Sequence, residues 1–78
     1  SSLTPGVVRA LTDRLQQAME KEQAWRDAEL TLGSLAQTIG TTPHKLSELL
    51  NTQVGQSFHD YVNGFRVAEV QRRLRDPD

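Results

Sequence analysis

Residues 32–51, LGSLAQTIGTTPHKLSELLN, constrain the fold more than any other stretch of the chain. Leu32, Leu35, Ala36 and Ile39 stand at i, i+3, i+4 and i+7, which puts them on one face of a helix, and Gly40 then breaks the pattern. Thr42 follows as an N-cap, with Pro43 at the first helical position, where a missing N–H costs nothing. Leu46, Leu49 and Leu50 set a new apolar stripe. The spacing predicts two short helices joined by a tight turn, which are the ingredients of a helix-turn-helix. Ala36 lets the second helix cross close to the first, Gly40 can take the left-handed conformation that ends a helix, and Leu46 anchors the second helix in the core. A helical pair with no nucleic-acid role satisfies the apolar spacing equally well. The joint placement of Ala36, Gly40 and Leu46 is what favours the DNA-binding form.

Helical signals continue on both sides. Thr4 and Pro5 again read as an N-cap and first position, and Val8, Leu11, Leu15, Ala18 and Met19 carry a stripe that predicts a helix over about 4–23. Its other face, with Arg14, Gln16, Gln17 and Lys21, reads as solvated. Trp25 is expected to close the core beside that stripe. After the polar run at 26–29, Thr31 is expected to cap the helix that starts at Leu32. Leu30 before it and Leu35 after it form a hydrophobic staple. Because Thr31 opens a helix, the backbone N–H groups there, Leu32's included, make a site for a DNA phosphate.

Ser57 caps the last helix, predicted over about 58–75 with Pro77 ending the run. Phe58, Tyr61, Val62 and Phe65 share one side of it, whereas Val67, Val70 and Leu74 lie on nearly the opposite side. A helix that changes its apolar face halfway touches two different partners. Nothing else in the chain is left to cover the second stripe, so residues 66–75 are expected to lead into a second subdomain outside these residues. Fraying of the last two turns is the plainer alternative.

At 78 residues the chain is one small domain, and chains of this size bury only about 60% of the surface their unfolded form exposes. Zero cysteines exclude disulfide staples and cysteine-ligated zinc, so helix packing must supply the stability. No apolar run is long enough to cross a bilayer. The net charge of −1 argues mildly against nucleic acid, whose phosphates favour a basic surface. Only the last segment, residues 64–78, is basic, with four Lys/Arg against three Asp/Glu. Catalysis is not expected, and neither is a cofactor. The two histidines, His44 and His59, have no matching nucleophile or metal-ligand spacing, and no Gly-rich phosphate loop is present.

Two runs, ELTLGSLAQTIGTTPHKLSELLN and VGQSFHDYVNGFRVAEVQRRLRDP, resemble the DNA-binding domain of the AraC/XylS family of bacterial transcription regulators. They look like that family's L-T-L-x-x-L-A-x-x-x-G, L-S-x-x-x-N and G-x-S-F-x-x-Y-x-N-x-x-R-V run, in continuous register over 29–77. The resemblance implies an all-α fold: a three-helix, homeodomain-like helix-turn-helix unit at about 32–53 with its preceding helix, then a long linker helix. The family's second helix-turn-helix is missing from the chain, and Ser1 and Asp78 read as cut ends rather than natural termini. A second motif is expected within about fifteen residues beyond Asp78, the reach of a short connection plus one helix. The resemblance also implies a bacterial, cytoplasmic setting. Its partners would be double-stranded DNA, a second subdomain on Val67, Val70 and Leu74, a separate sensing or dimerisation domain, sometimes membrane-linked, and RNA polymerase.

The recognition helix would cover 43–52. With Leu46, Leu49 and Leu50 inward, the outward set is His44, Ser47, Glu48 and Asn51, with Lys45 to one side. His44, Ser47 and Glu48 are the candidates for base edges, and Thr42 and Lys45 lie closer to the backbone. Glu48, a carboxylate, can only accept, for instance from a cytosine amino group. Asn51 could pair with adenine or cap its own helix. Arg66 could reach a phosphate, or form an ion pair with Asp60 or Glu69. Arg72, Arg73 and Arg75 read as a solvated helix end. The rival reading is a protein-interaction module that docks through Val67, Val70 and Leu74.

Overall fold

In the computed structural model, which describes residues 3–76, every α-helix starts on a hydroxyl side chain. The Thr4 Oγ1 accepts from the Val7 N–H at 3.3 Å and opens α1, Pro5–Gln16. Thr31 does the same for α2, Leu32–Ile39, Thr42 for α3, Pro43–Leu49, and Ser57 for α4, Phe58–Arg75. Each such cap is worth about 1 kcal/mol, and it fixes where the chain turns into its helix. The protein is all-helical, with no strand among the described residues. No helix among them is long and apolar enough to cross a membrane.

α1 and α3 do not stop where their α-geometry stops. Each runs on into a π-helical turn, Gln17–Lys21 after α1 and Leu50–Val54 after α3. Wide turns of this kind are common at helix C-termini. The first one closes with the Glu22 N–H on the Gln17 carbonyl at 3.0 Å, and the second with the Gly55 N–H on the Leu50 carbonyl at 2.7 Å. The first predicted helix therefore changes character before residue 23. Gln23 sits in the left-handed region at φ 55°, a strained position for a residue with a Cβ. Its side chain is held there by the Arg26 Nε at 2.7 Å. A 3₁₀ turn, Ala24–Arg26, follows and drives Trp25 into the core. The Trp25 indole N–H donates to the Met19 carbonyl at 3.0 Å, an acceptor left over by the end of the helix.

The core is formed by Leu11, Leu15, Ala18 and Met19 from the first helix, Trp25, then Leu35, Ala36 and Ile39, then Leu46, Leu49 and Leu50, with Val62 from α4. Ala36 is fully buried, which permits the close approach of α2 and α3, and Gly40 ends α2 at φ 81°. Burying a leucine contributes about 1.5–3 kcal/mol, so the three leucines of α3 and its π turn weigh heavily in so small a protein. Leu30 is partly buried and packs against the core cluster to which Leu35 belongs. Phe58, Tyr61 and Phe65 bring the first half of α4 onto the core. Tyr61 and Phe65 meet edge to face at 5.3 Å, and burial together with the charge of Glu20 pushes the Tyr61 hydroxyl pKa up.

α4 has 18 residues, about 27 Å of helix, and the molecule measures 45 × 21 × 19 Å. Its second half runs beyond the core, where Val67, Val70 and Leu74 are 45%, 57% and 78% exposed. The helix ends at Arg75. Pro77, expected to stop it, lies outside the described residues.

Candidate nucleic-acid interface

α3 is fastened on one side only. Leu46, Leu49 and Leu50 are almost completely buried, and that fixes the rotation of the helix about its axis. Its N-terminus is set by Thr42, whose Oγ1 accepts from the Lys45 N–H at 3.2 Å. The opposite side then faces away from the core. Thr42, His44 and Asn51 are exposed, and Lys45, Ser47 and Glu48 are half-buried at the flanks of the stripe. These six residues therefore share the uncovered side and shoulders of one helix. Asn51 caps nothing: the helix runs past it, and the terminal left-handed residue is Gly55 at φ 79°. Thr52 donates its hydroxyl to the Glu48 carbonyl at 2.8 Å and fastens the following turn.

The start of α2 forms a reciprocal cap. The Ser34 N–H donates to the Thr31 Oγ1 and the Thr31 N–H to the Ser34 Oγ, both at 3.0 Å. That arrangement uses the N–H groups of residues 31 and 34, while those of Leu32 and Gly33 point out of the first turn without a partner among the described residues. Unpaired first-turn donors at the positive pole of a helix are suited to an anion.

Arg66 is placed differently from the expectation of an ion pair with Asp60 or Glu69. Its Nε donates to the Trp25 carbonyl at 2.8 Å and one terminal nitrogen donates to the Asp27 carbonyl at 2.9 Å. Two of its five N–H donors are spent in this way, which leaves the other terminal nitrogen and one N–H of the bonded one for a phosphate. The Glu69 carboxylate goes instead to Arg26, Arg72 and Arg73 at 3.1, 3.0 and 2.9 Å. Arg72 and Arg73 are thus tied to the helix rather than simply solvated. Hydrogen bonds from Arg72, Arg73 and Arg26 lower the Glu69 pKa to about 2, and the same pairing raises that of Arg72.

Two fastenings of the site were not anticipated. The Arg14 Nη1, on the face of α1 read as solvated, donates to the Ile39 carbonyl at 3.2 Å and so caps the end of α2 just before the turn into α3. No local pattern announces a bond between residues 25 apart. Ser34 as the partner of Thr31 had a signal, since it stands three residues after the cap, where Glu or Gln usually completes the box.

Comparison with protein-family models finds no match to this chain, and comparisons with curated proteins and with solved structures likewise find none.

Proposed function

We propose that this protein binds double-stranded DNA as a homeodomain-like helix-turn-helix unit of an AraC-type bacterial transcription regulator, working in the cytoplasm. α3 and its π turn enter the major groove. His44, Ser47, Glu48 and Asn51 meet base edges, and Thr42, Lys45 and the first turn of α2 at Thr31 and Leu32 lie against phosphates. The observation that carries this reading is the one-sided burial of α3: three leucines hold it, Thr42, His44 and Asn51 are exposed on the opposite side, and Lys45, Ser47 and Glu48 stand half-buried at its flanks. A groove about 12 Å wide admits a helix presented in this way. Near-neutral charge implies weak binding for the domain alone, with α4 carrying it toward a second unit of a longer regulator.

The test is a titration of fluorescent duplex DNA at two salt concentrations. Binding is expected to weaken steeply as salt rises, because condensed counterions are released. Glu48→Arg is expected to raise affinity for unrelated duplexes and steepen the salt dependence, since it replaces a charge repelled by phosphates with one that is attracted. Unchanged binding would place this face away from the groove.

A second reading, docking of a protein on α4, is favoured by the exposure of Val67, Val70 and Leu74. Apolar docking would change little with salt.

A further inference from the structure

Val67, Val70 and Leu74 on the far half of α4 are exposed, yet polar contacts tie its base to the body of the protein. Glu69 stands at the centre of them. Its Oε2 takes the Arg26 guanidinium at 3.1 Å, from a residue 43 positions earlier in the chain, and also the Arg73 Nε at 2.9 Å. Its Oε1 takes the Arg72 Nε at 3.0 Å. The Glu69 side chain is only 14% exposed although its helix lies on the surface. Arg26 is itself held on three sides, by the Trp25 ring at 4.6 Å beneath its guanidinium, by the Gln23 Oε1 at 2.7 Å and by Glu69. One turn before Glu69, Arg66 grips the Trp25 and Asp27 carbonyls.

Of these contacts, the Arg72 and Arg73 bonds lie within α4 and can only stiffen it. The Arg26–Glu69 and Arg66 contacts cross to the 3₁₀ turn and fix the direction in which the helix leaves the core. A single exposed ion pair does little. The Arg26–Glu69 pair differs from that case at both ends: the Glu69 side chain is largely shielded from water, and the Arg26 guanidinium is seated on a buried indole and held by Gln23, so neither partner is free to exchange.

We infer that Glu69 is a positioning residue: clamped by Arg26, it aims the outer half of α4 at a fixed angle from the α2–α3 pair. On the DNA-binding reading above, on which this consequence rests, that angle sets the offset between α3 and whatever follows α4.

The test needs no DNA, so it stands or falls separately from that reading. The chain has no cysteine, so Gln37→Cys on α2 and Gln71→Cys on α4, both at exposed positions, accept spin labels without competing sites. Pulsed dipolar spectroscopy then reads the distribution of distances between the two helices. The parent protein is expected to give one narrow distribution, and Glu69→Gln to broaden it about twofold, as expected for a segment released from its tertiary contacts, with helical circular dichroism retained. Arg26→Ala is expected to broaden it likewise. The double variant Arg72→Ala, Arg73→Ala is expected to leave it narrow, because neither arginine reaches across. An unchanged width in Glu69→Gln, equal broadening in the Arg72/Arg73 variant, or loss of helical signal in Glu69→Gln would each overturn the inference. The last would assign Glu69 to holding the core together rather than to aiming a helix.

Discussion

α3 and the outer half of α4 are both exposed helical surfaces, but opposite forces position them. α3 is held by burial: Leu46, Leu49 and Leu50 are sunk in the core, and the polar residues face outward. The outer half of α4 is held by charge: Glu69, Arg26 and Arg66 fasten its base, and the residues left facing outward include Val67, Val70 and Leu74. In a protein this small the apolar material suffices for one core. An element that leaves that core has to be directed by hydrogen bonds and ion pairs, which are worth less but are specific in geometry.

The contrast is broken most sharply at Leu46. Leu46→Ala removes a fully buried side chain and is expected to cost about 2–5 kcal/mol, a large part of the stability of a domain of this size. Urea unfolding reads this directly. A loss well under 1 kcal/mol would show that α3 does not depend on its leucines.

Gly40→Ala should come next. The position has φ 81°, and a Cβ there would lie 3.1 Å from the Arg14 Nη1. The guanidinium must shift by a few tenths of an ångström, which loosens its bond to the Ile39 carbonyl, and this adds to a backbone strain of about 1–2 kcal/mol, again measurable by urea unfolding.

On the charged side the effect is smaller and confined to acid. Glu69 has its pKa lowered from 4.5 to about 2, so its ties contribute fully above about pH 4.5 and are lost as the pH falls toward 2. Trp25, the one tryptophan, lies under Arg26 and reports on that loss. Its fluorescence in the parent protein and in Glu69→Gln is expected to differ at neutral pH and to converge as acid protonates Glu69. A difference that persists unchanged to pH 2 would mean that the carboxylate is not what holds Arg26.

The smallest effect belongs to Val70→Ser. At 57% exposure it is expected to change stability by no more than about 0.5 kcal/mol. A larger loss in thermal unfolding would show that the stripe is covered within the protein.

Much of the scaffold was legible because its determinants are local. Thr4, Thr31, Thr42 and Ser57 cap the helices they were expected to cap, and the leucine spacing of residues 46–50 determines which side of α3 is buried. The change of face in α4 was visible as a shift in periodicity, and the exposure of Val67, Val70 and Leu74 follows from it. The π turns and the left-handed Gln23 were not legible, since a side-chain pattern at helical spacing does not distinguish a wide last turn from an ordinary one. Nor were the polar ties. Arg14 to Ile39, Arg66 to Trp25 and Arg26 to Glu69 join residues 25, 41 and 43 apart, and arginine at a helix surface looks the same in sequence whether it meets water or a carbonyl. The exposed set on α3 could be read from the stripe opposite it, whereas the tethering of Arg66 could not.

The most direct test of the account is amide chemical-shift mapping of the ¹⁵N-labelled protein with a short DNA duplex at low salt. Shifts concentrated at residues 42–51 and at the first turn of α2, and fading as salt is added, are the predicted result. Shifts confined to the outer half of α4, or no salt-sensitive shifts anywhere on α3, would contradict it.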